Sequence, residues 1–302
     1  MTLLGGGFAL PSYRRGEGEV MKVNCYIIAI FFDKYLGEHS FLLQIICTFA
    51  ADKRAKSKSK TRIMMEKKLV FVTGANKGIG YGIAKYLGLS GWKIILGARH
   101  DGRAAVAISE LRSMGIDVVG WVRTELSDIA GLMHAAQEIQ EQYPELTLLV
   151  NNAGIPGDMS VDAQHTELSD IRQTLDVNYI GTFALTQALM PLLEKNSGRI
   201  VNITVPSEIS PYWHPLAYVA SKAAQNAMMG VMAMELQQRG SALEIFSVHP
   251  GPTTTDLNGN MSLPGFHDID TVGQKMADLL NDGRCHQGEF IELYPIVDES
   301  QG

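Results

Sequence analysis

From Lys68 onward, short apolar runs alternate with longer stretches in which apolar residues recur every three to four positions. Short continuous runs suit strands buried on both faces, and the longer period suits helices laid over a sheet. The pattern predicts strands at Leu69–Thr73, Lys93–Ala98, Asp117–Val122, Leu146–Asn151, Gly198–Thr204, Leu243–His249 and Phe290–Leu293. Between them it predicts helices at about 79–90, 103–114, 128–141, 168–194, 216–239 and 271–281. Ser127-Asp128 and Ser169-Asp170 offer side-chain oxygens to helix N-termini, and Gly91, Gly115 and Gly240 stand where helices stop. Strict alternation with right-handed crossovers implies an α/β fold: a doubly wound parallel sheet of about seven strands, flanked by helices. Ligands of such sheets bind at the carboxyl ends of the strands.

Charge divides the chain unevenly. Residues 1–63 carry 10 Lys/Arg and 5 Asp/Glu, a net +5, while the remainder is at −11. This predicts a boundary near residue 64, with residues 1–64 as an extension and 65–302 as a single domain. The extension has two apolar runs, Cys25–Phe32 and Phe41–Ala51, each shorter than the roughly 20 residues of a membrane span. The basic run Lys53–Lys60 follows, read as a solvated linker or as upstream sequence ahead of a start at Met64 or Met65, with a membrane-surface or nuclear-address segment as the alternative. An acidic body argues against nucleic acid as a partner. Three scattered cysteines, Cys25, Cys47 and Cys285, make no disulfide framework and point to a reducing, cytoplasmic setting without a membrane role for the core domain. The eight histidines show no ligand spacing, so no metal is expected.

The first strand runs into Gly74-Ala75-Asn76-Lys77-Gly78-Ile79-Gly80 and then a helix. Glycines there let the backbone approach a pyrophosphate, whose charge free N–H groups and the helix dipole stabilise. The second strand ends Gly97-Ala98-Arg99-His100, with no carboxylate before Asp101. An acidic residue at that point suits a ribose 2′-hydroxyl and a basic one a 2′-phosphate, so Arg99 and Lys77 favour NADP(H) over NAD(H). Tyr218 and Lys222 are four apart, which on a helix puts phenol and ammonium on one face.

Five motifs in order then resemble the short-chain dehydrogenase/reductases in their compact, single-domain, Rossmann-type form. They are Thr73-Gly74-(x)3-Gly78-x-Gly80, Asn151-Asn152-Ala153-Gly154, Asn178 within Asp176-Val177-Asn178, Tyr218-(x)3-Lys222 and Pro250-Gly251-(x)3-Thr255. The resemblance implies an oxidoreductase of the carbonyl reductase type, interconverting a carbonyl compound and an alcohol. In it Tyr218 is the general acid/base. Lys222, aided by a positively charged oxidised nicotinamide, lowers the phenol pKa and binds the nicotinamide ribose, and Asn178 anchors a water relay to the lysine. It further implies that Asn152, Ala153 and Gly154 line the adenosine side and that Glu125-Leu126 sit beside the adenine. Pro250, Gly251, Thr253 and Thr255 fall at the nicotinamide. Dimer- or tetramer-forming faces are implied on helices 168–194 and 216–239.

One position departs from the pattern. The family's catalytic serine lies about 13 residues before the tyrosine, and the count from Tyr218 lands on Val205. Ser207 is the first candidate to supply the hydroxyl and Thr204 the second. The substrate, a small molecule, is expected against 156–166, 206–216 and 252–268, with Tyr212, Trp213, His214, Met261 and Phe266 forming an apolar, partly aromatic pocket. The alternative is a catalytically weakened, NADP(H)-binding sensor or scaffold.

Overall fold

The computed structural model describes residues 68–210 and 213–294. The extension 1–64 and its boundary, Tyr212 and the C-terminal residues after Tyr294 lie outside those described. Seven strands form one sheet: β1 (Leu69–Val72), β2 (Lys93–Ala98), β3 (Val118–Arg123), β4 (Leu148–Asn151), β5 (Arg199–Ile203), β6 (Glu244–His249) and β7 (Phe290–Glu292). Their order is β3-β2-β1-β4-β5-β6-β7, and every neighbouring pair is parallel. The sequence of strands reverses direction between β1 and β4, which opens a crevice at their carboxyl ends.

Among the described residues seven α-helices cover the sheet: α1 (Gly78–Leu89), α2 (Asp101–Ser113), α3 (Ile129–Gln142), α4 (Leu168–Leu175), α5 (Thr182–Lys195), α6 (Leu216–Gln238) and α7 (Ile269–Asn281). Alternate residues of each central strand feed opposite layers. Val70 and Val72 of β1 pack with Ile83, Leu87, Leu111 and Met276 from α1, α2 and α7. Leu69 and Phe71 pack on the other side with Ile139, Leu189 and Met229 from α3, α5 and α6. All these side chains are nearly or wholly buried, so the two layers supply the apolar burial that stabilises the fold.

Two details differ from the sequence reading. The stretch 168–194, predicted as one helix, is broken by a π turn at Asp176–Gly181 between α4 and α5. The turn swings Val177 and Asn178 inward to burial and lays Gly181 against the Leu126 carbonyl, where an added Cβ would stand 2.1 Å from that oxygen. Periodicity cannot reveal one extra residue in a helical turn. The second concerns Ser169-Asp170, which lies inside the first turn of α4, not before it. The Asp170 carboxylate instead accepts from the Asp158 N–H at 3.1 Å and so ties down the 156–166 segment. Asp128, by contrast, caps α3 by accepting from the Gly131 N–H at 2.9 Å. Gly91, Gly115 and Gly240 take the left-handed backbone expected of helix stops.

Candidate active site

The Gly-rich turn is built to admit a ligand against its backbone. The Thr73 hydroxyl accepts from the Asn152 and Ala153 N–H groups at 2.9 and 3.0 Å, and the Asn152 amide donates to the Thr73 carbonyl at 2.9 Å. These bonds lock the end of β4 to the end of β1. Gly74 takes φ +66°, and a Cβ on Gly80 would lie 2.3 Å from Asn152 Nδ2 and 2.6 Å from the Gly74 carbonyl oxygen. Only glycine fits these two positions. The first turn of α1 holds no acidic residue, and no side chain caps its N-terminus, a donor set that suits a pyrophosphate.

Around this turn the predicted cofactor residues fall into place unevenly. Asn76 and Ile79 are half-buried, and Ile79 packs onto the core. Arg99 is exposed at the end of β2 with no ion pair among the described residues, whereas Lys77 Nζ sits 2.8 Å from Asp256 Oδ2. Glu125 Oε1 accepts from the Ser127 hydroxyl at 2.9 Å, and Leu126 packs in a small cluster with Leu132, Val177 and Ala153. Gly154 lies against Asn178, its notional Cβ 3.0 Å from Asn178 Oδ1. Pro250 and Gly251 close β6. The Thr253 hydroxyl donates to the Gly251 carbonyl at 3.0 Å, leaving its oxygen lone pairs as acceptors. Thr255 reaches toward the Gly-rich turn, with its Cγ2 3.9 Å from the notional Cβ of Gly78.

Tyr218 and Lys222 lie on the first turns of α6, both buried, with Lys222 Nζ 5.6 Å from the Tyr218 ring centre. Lys222 Nζ donates to the Ile203 carbonyl at 2.8 Å, at the carboxyl end of β5. Asn178 reaches the same place from the π turn. Its Oδ1 accepts from Ile155 N–H at 2.8 Å, and its Nδ2 donates to the Ile155 carbonyl and the Ser221 hydroxyl at 2.9 Å each. Ser221 in turn donates to the Tyr218 carbonyl at 2.7 Å. The structure thus gathers Asn178, Tyr218 and Lys222 into one cluster beside the glycine turn.

Burial sets the electrostatics of this cluster. It pushes the Tyr218 phenol above its ordinary range and the Lys222 ammonium down to about 7, because each charged form is costly away from water. The lowered phenol pKa implied by the resemblance is therefore not a property of the protein by itself.

The comparisons with known proteins agree with this fold. Residues 68–263 match the family described as short chain dehydrogenase. The chain belongs to the short-chain dehydrogenase family. Among curated relatives, estradiol 17-beta-dehydrogenase 2 of Mus musculus is 27% identical over 225 residues, covering 74% of this chain and 57% of that protein. The rat counterpart is 28% identical over 222 residues, 73% of this chain and 56% of that one. The chain thus spans little more than half the length of these two relatives. Among solved structures, NADPH-bound carbonyl reductase from chicken fatty liver is 28% identical with a TM-score of 0.67, covering 75% of this chain and 96% of that one. A Shigella flexneri short chain dehydrogenase complexed with NADP is 27% identical with a TM-score of 0.68, covering 76% and 97%.

Set against the short-chain dehydrogenase pattern, the place of the catalytic serine stands out. Val205 is half-buried and offers no hydroxyl. Thr204 is buried, and its hydroxyl donates to Asn226 Oδ1 at 2.8 Å. The Asn226 amide also donates to the Val205 carbonyl at 2.9 Å, fixing the backbone there. Ser207 is exposed, and among the described residues no hydrogen bond joins it to Tyr218. Of the pocket residues, Trp213 packs edge-on to Tyr218 at 4.8 Å and donates its Nε1–H to Met159 Sδ at 3.3 Å. Segments 156–166 and 206–216 therefore meet over the phenol. Met261 and Phe266 are half-buried and His214 is exposed.

Sequence reasoning passed over Ser221 and Gln225. The signal is present: Tyr218, Ser221, Lys222 and Gln225 follow the i, i+3, i+4, i+7 spacing of one helix face, normally apolar where it meets a core. Here that stripe is polar and almost completely buried.

Proposed function

We propose that the protein is an NADP(H)-dependent oxidoreductase that interconverts a carbonyl compound and an alcohol. The observation that carries this reading is the buried Tyr218–Lys222 pair on one face of α6, beside a glycine turn shaped for a pyrophosphate. Gly74, Gly78, Gly80 and the first turn of α1 would hold the phosphates, with Arg99 and Lys77 on a 2′-phosphate and Lys222 on the ribose. A nicotinamide held there would supply hydride to the carbonyl carbon, or accept it from the alcohol carbon in the reverse direction. Tyr218 donates its proton to the carbonyl oxygen, leaving a phenolate. Burial opposes that phenolate, so positive charge on Lys222 and a proton returned through the cluster must offset it. Trp213 and Met159, with Met261 and Phe266 on the loop after β6, favour an apolar substrate. The names of the hydroxysteroid-type relatives and the NADPH-bound carbonyl reductase neighbour point the same way. We place the enzyme in the cytoplasm as a dimer or tetramer. Among the described residues no helix is long and apolar enough to cross a membrane.

A second reading, an NADP(H)-binding sensor, draws on Val205 and on the Thr204 hydroxyl already engaged by Asn226. Purified protein assayed for NADPH binding by fluorescence and for NADPH oxidation across short polar aldehydes and large apolar ketones separates the two. Oxidation with the apolar ketones is expected. Tight binding with no turnover on the whole panel would overturn the enzyme reading in favour of the sensor.

A further inference from the structure

Gln225 is 1% exposed and lies one helical turn beyond Lys222. Its amide donates to the backbone carbonyl of Asn178 and to Thr182 Oγ1 at 3.2 Å, while its Oε1 accepts from Asn202 Nδ2 at 3.5 Å. Three elements converge on this one side chain: the π turn, the start of α5 and the end of β5. A π turn adds a residue to the helical ring and shifts the backbone ladder around it, which leaves room for a side chain to bond one of its carbonyls. At Asn178 that side chain is Gln225. The same stretch of β5 is gripped twice from α6, Asn202 by Gln225 and the next residue, Ile203, by Lys222. Asn178 is gripped twice as well, its side chain by Ser221 and its carbonyl by Gln225. Buried amides of this kind hold their partners in one arrangement, because any other leaves a polar group unpaired. Asn202 Oδ1 already lacks a partner among the described residues, so this network has no spare bonds to lose.

We propose that Gln225 is a positioning residue for the reaction: by clamping the Asn178 carbonyl and the end of β5 to α6, it fixes where Lys222 stands relative to Tyr218. The proposal rests on the carbonyl–alcohol reading above. Gln225 touches neither substrate nor cofactor in this account. It acts through Lys222, so its loss must change how Lys222 titrates and leave the phosphate end of the cofactor site alone.

The test uses Gln225→Met, of similar size without hydrogen bonds, and Gln225→Glu, of the same shape, which donates only when protonated. Thermal melting, NADPH Kd against pH and the pH profile of kcat are measured for each. Gln225→Met is expected to bind NADPH at its optimal pH within about threefold of wild type, to lose about tenfold or more in kcat, and to shift the midpoint of the Kd–pH curve. Gln225→Glu is expected to recover kcat toward acid pH, where the carboxyl is protonated and donates to the Asn178 carbonyl, and to lose it as pH rises. If wild type turns over no carbonyl, the functional reading fails, and the Kd–pH midpoint still tests the clamp. Should Gln225→Met not fold, Thr182→Val, which removes the other acceptor of the amide, is expected to shift the midpoint in the same direction by less. Midpoints and pH profiles equal to wild type in the folded variants would overturn the proposal and leave Gln225 as packing.

Discussion

Replacing Val205 by serine tests the chemistry where the sequence departs from its family. An oxyanion-type donor is worth about 10²–10³ in rate, or about 2.7–4 kcal/mol. In this protein Val205 lacks the hydroxyl, Thr204 gives its own to Asn226 at 2.8 Å, and Ser207 lies exposed without a hydrogen bond to Tyr218. The Asn226 amide holds the Val205 carbonyl at 2.9 Å, so a serine there inherits a fixed backbone and points its hydroxyl from the same Cα. The pocket has not been shaped around that hydroxyl, so the gain should fall short of the full value: about 10- to 100-fold in kcat/KM. Removing two methyl groups from a half-buried site should lower stability by roughly 1 kcal/mol, which a melting curve reads separately. Steady-state kinetics on the best ketone of the panel, with NADPH saturating, provide the assay, with Ser207→Ala alongside. A Val205→Ser enzyme no faster than wild type, together with a Ser207→Ala enzyme slowed about 100-fold, would refute the reasoning and make Ser207 the donor.

Four further perturbations probe the cofactor turn and the core. Gly80→Ala drives a methyl group to 2.3 Å from Asn152 Nδ2 and 2.6 Å from the Gly74 carbonyl oxygen, so NADPH Kd should rise at least about tenfold by fluorescence titration, with a lower melting temperature. Lys77→Ala should weaken NADPH several-fold and NADH hardly at all. Asp256→Asn should tighten NADPH by about two- to fivefold, because it frees Lys77 from an exposed ion pair of the usual 0.2–1 kcal/mol. His249, at the end of β6, is pushed down to about 4 by burial, and its 4.0 Å separation from Glu292 is too long for a hydrogen bond to oppose this. The unfolded chain therefore binds a proton that the folded one refuses between about pH 6.5 and 4, and stability is lost as pH falls through that window. His249→Asn should flatten this slope in urea melts, and an unchanged slope would place its origin elsewhere.

Strand positions were legible because each buried run is bounded by glycine or polar residues, and a parallel sheet needs no finer signal. Leu148–Asn151 and Arg199–Ile203 fall within the predicted runs to within a residue or two. The glycine turn and the Tyr218–Lys222 pair were legible because local spacing alone fixes their geometry. The π turn was not, since one inserted residue leaves the 3.6 period almost intact. Nor was the engagement of Thr204 by Asn226, which joins a strand end to a helix 22 residues later and depends on tertiary packing. The electrostatics of the pair were legible only in part. The lowered phenol pKa is implied for the pair with oxidised nicotinamide bound, whereas in the protein alone burial, invisible in the sequence, raises it.

The most direct measurement is NADPH oxidation by wild type and Tyr218→Phe, monitored at saturating cofactor with the apolar ketone panel and with NADPH affinity measured in parallel. The account predicts turnover in wild type that falls by at least about 10²–10³ in the phenylalanine variant while NADPH Kd stays within about threefold. A Tyr218→Phe enzyme that turns over like wild type, or a wild type that binds NADPH and reduces no carbonyl, would contradict it.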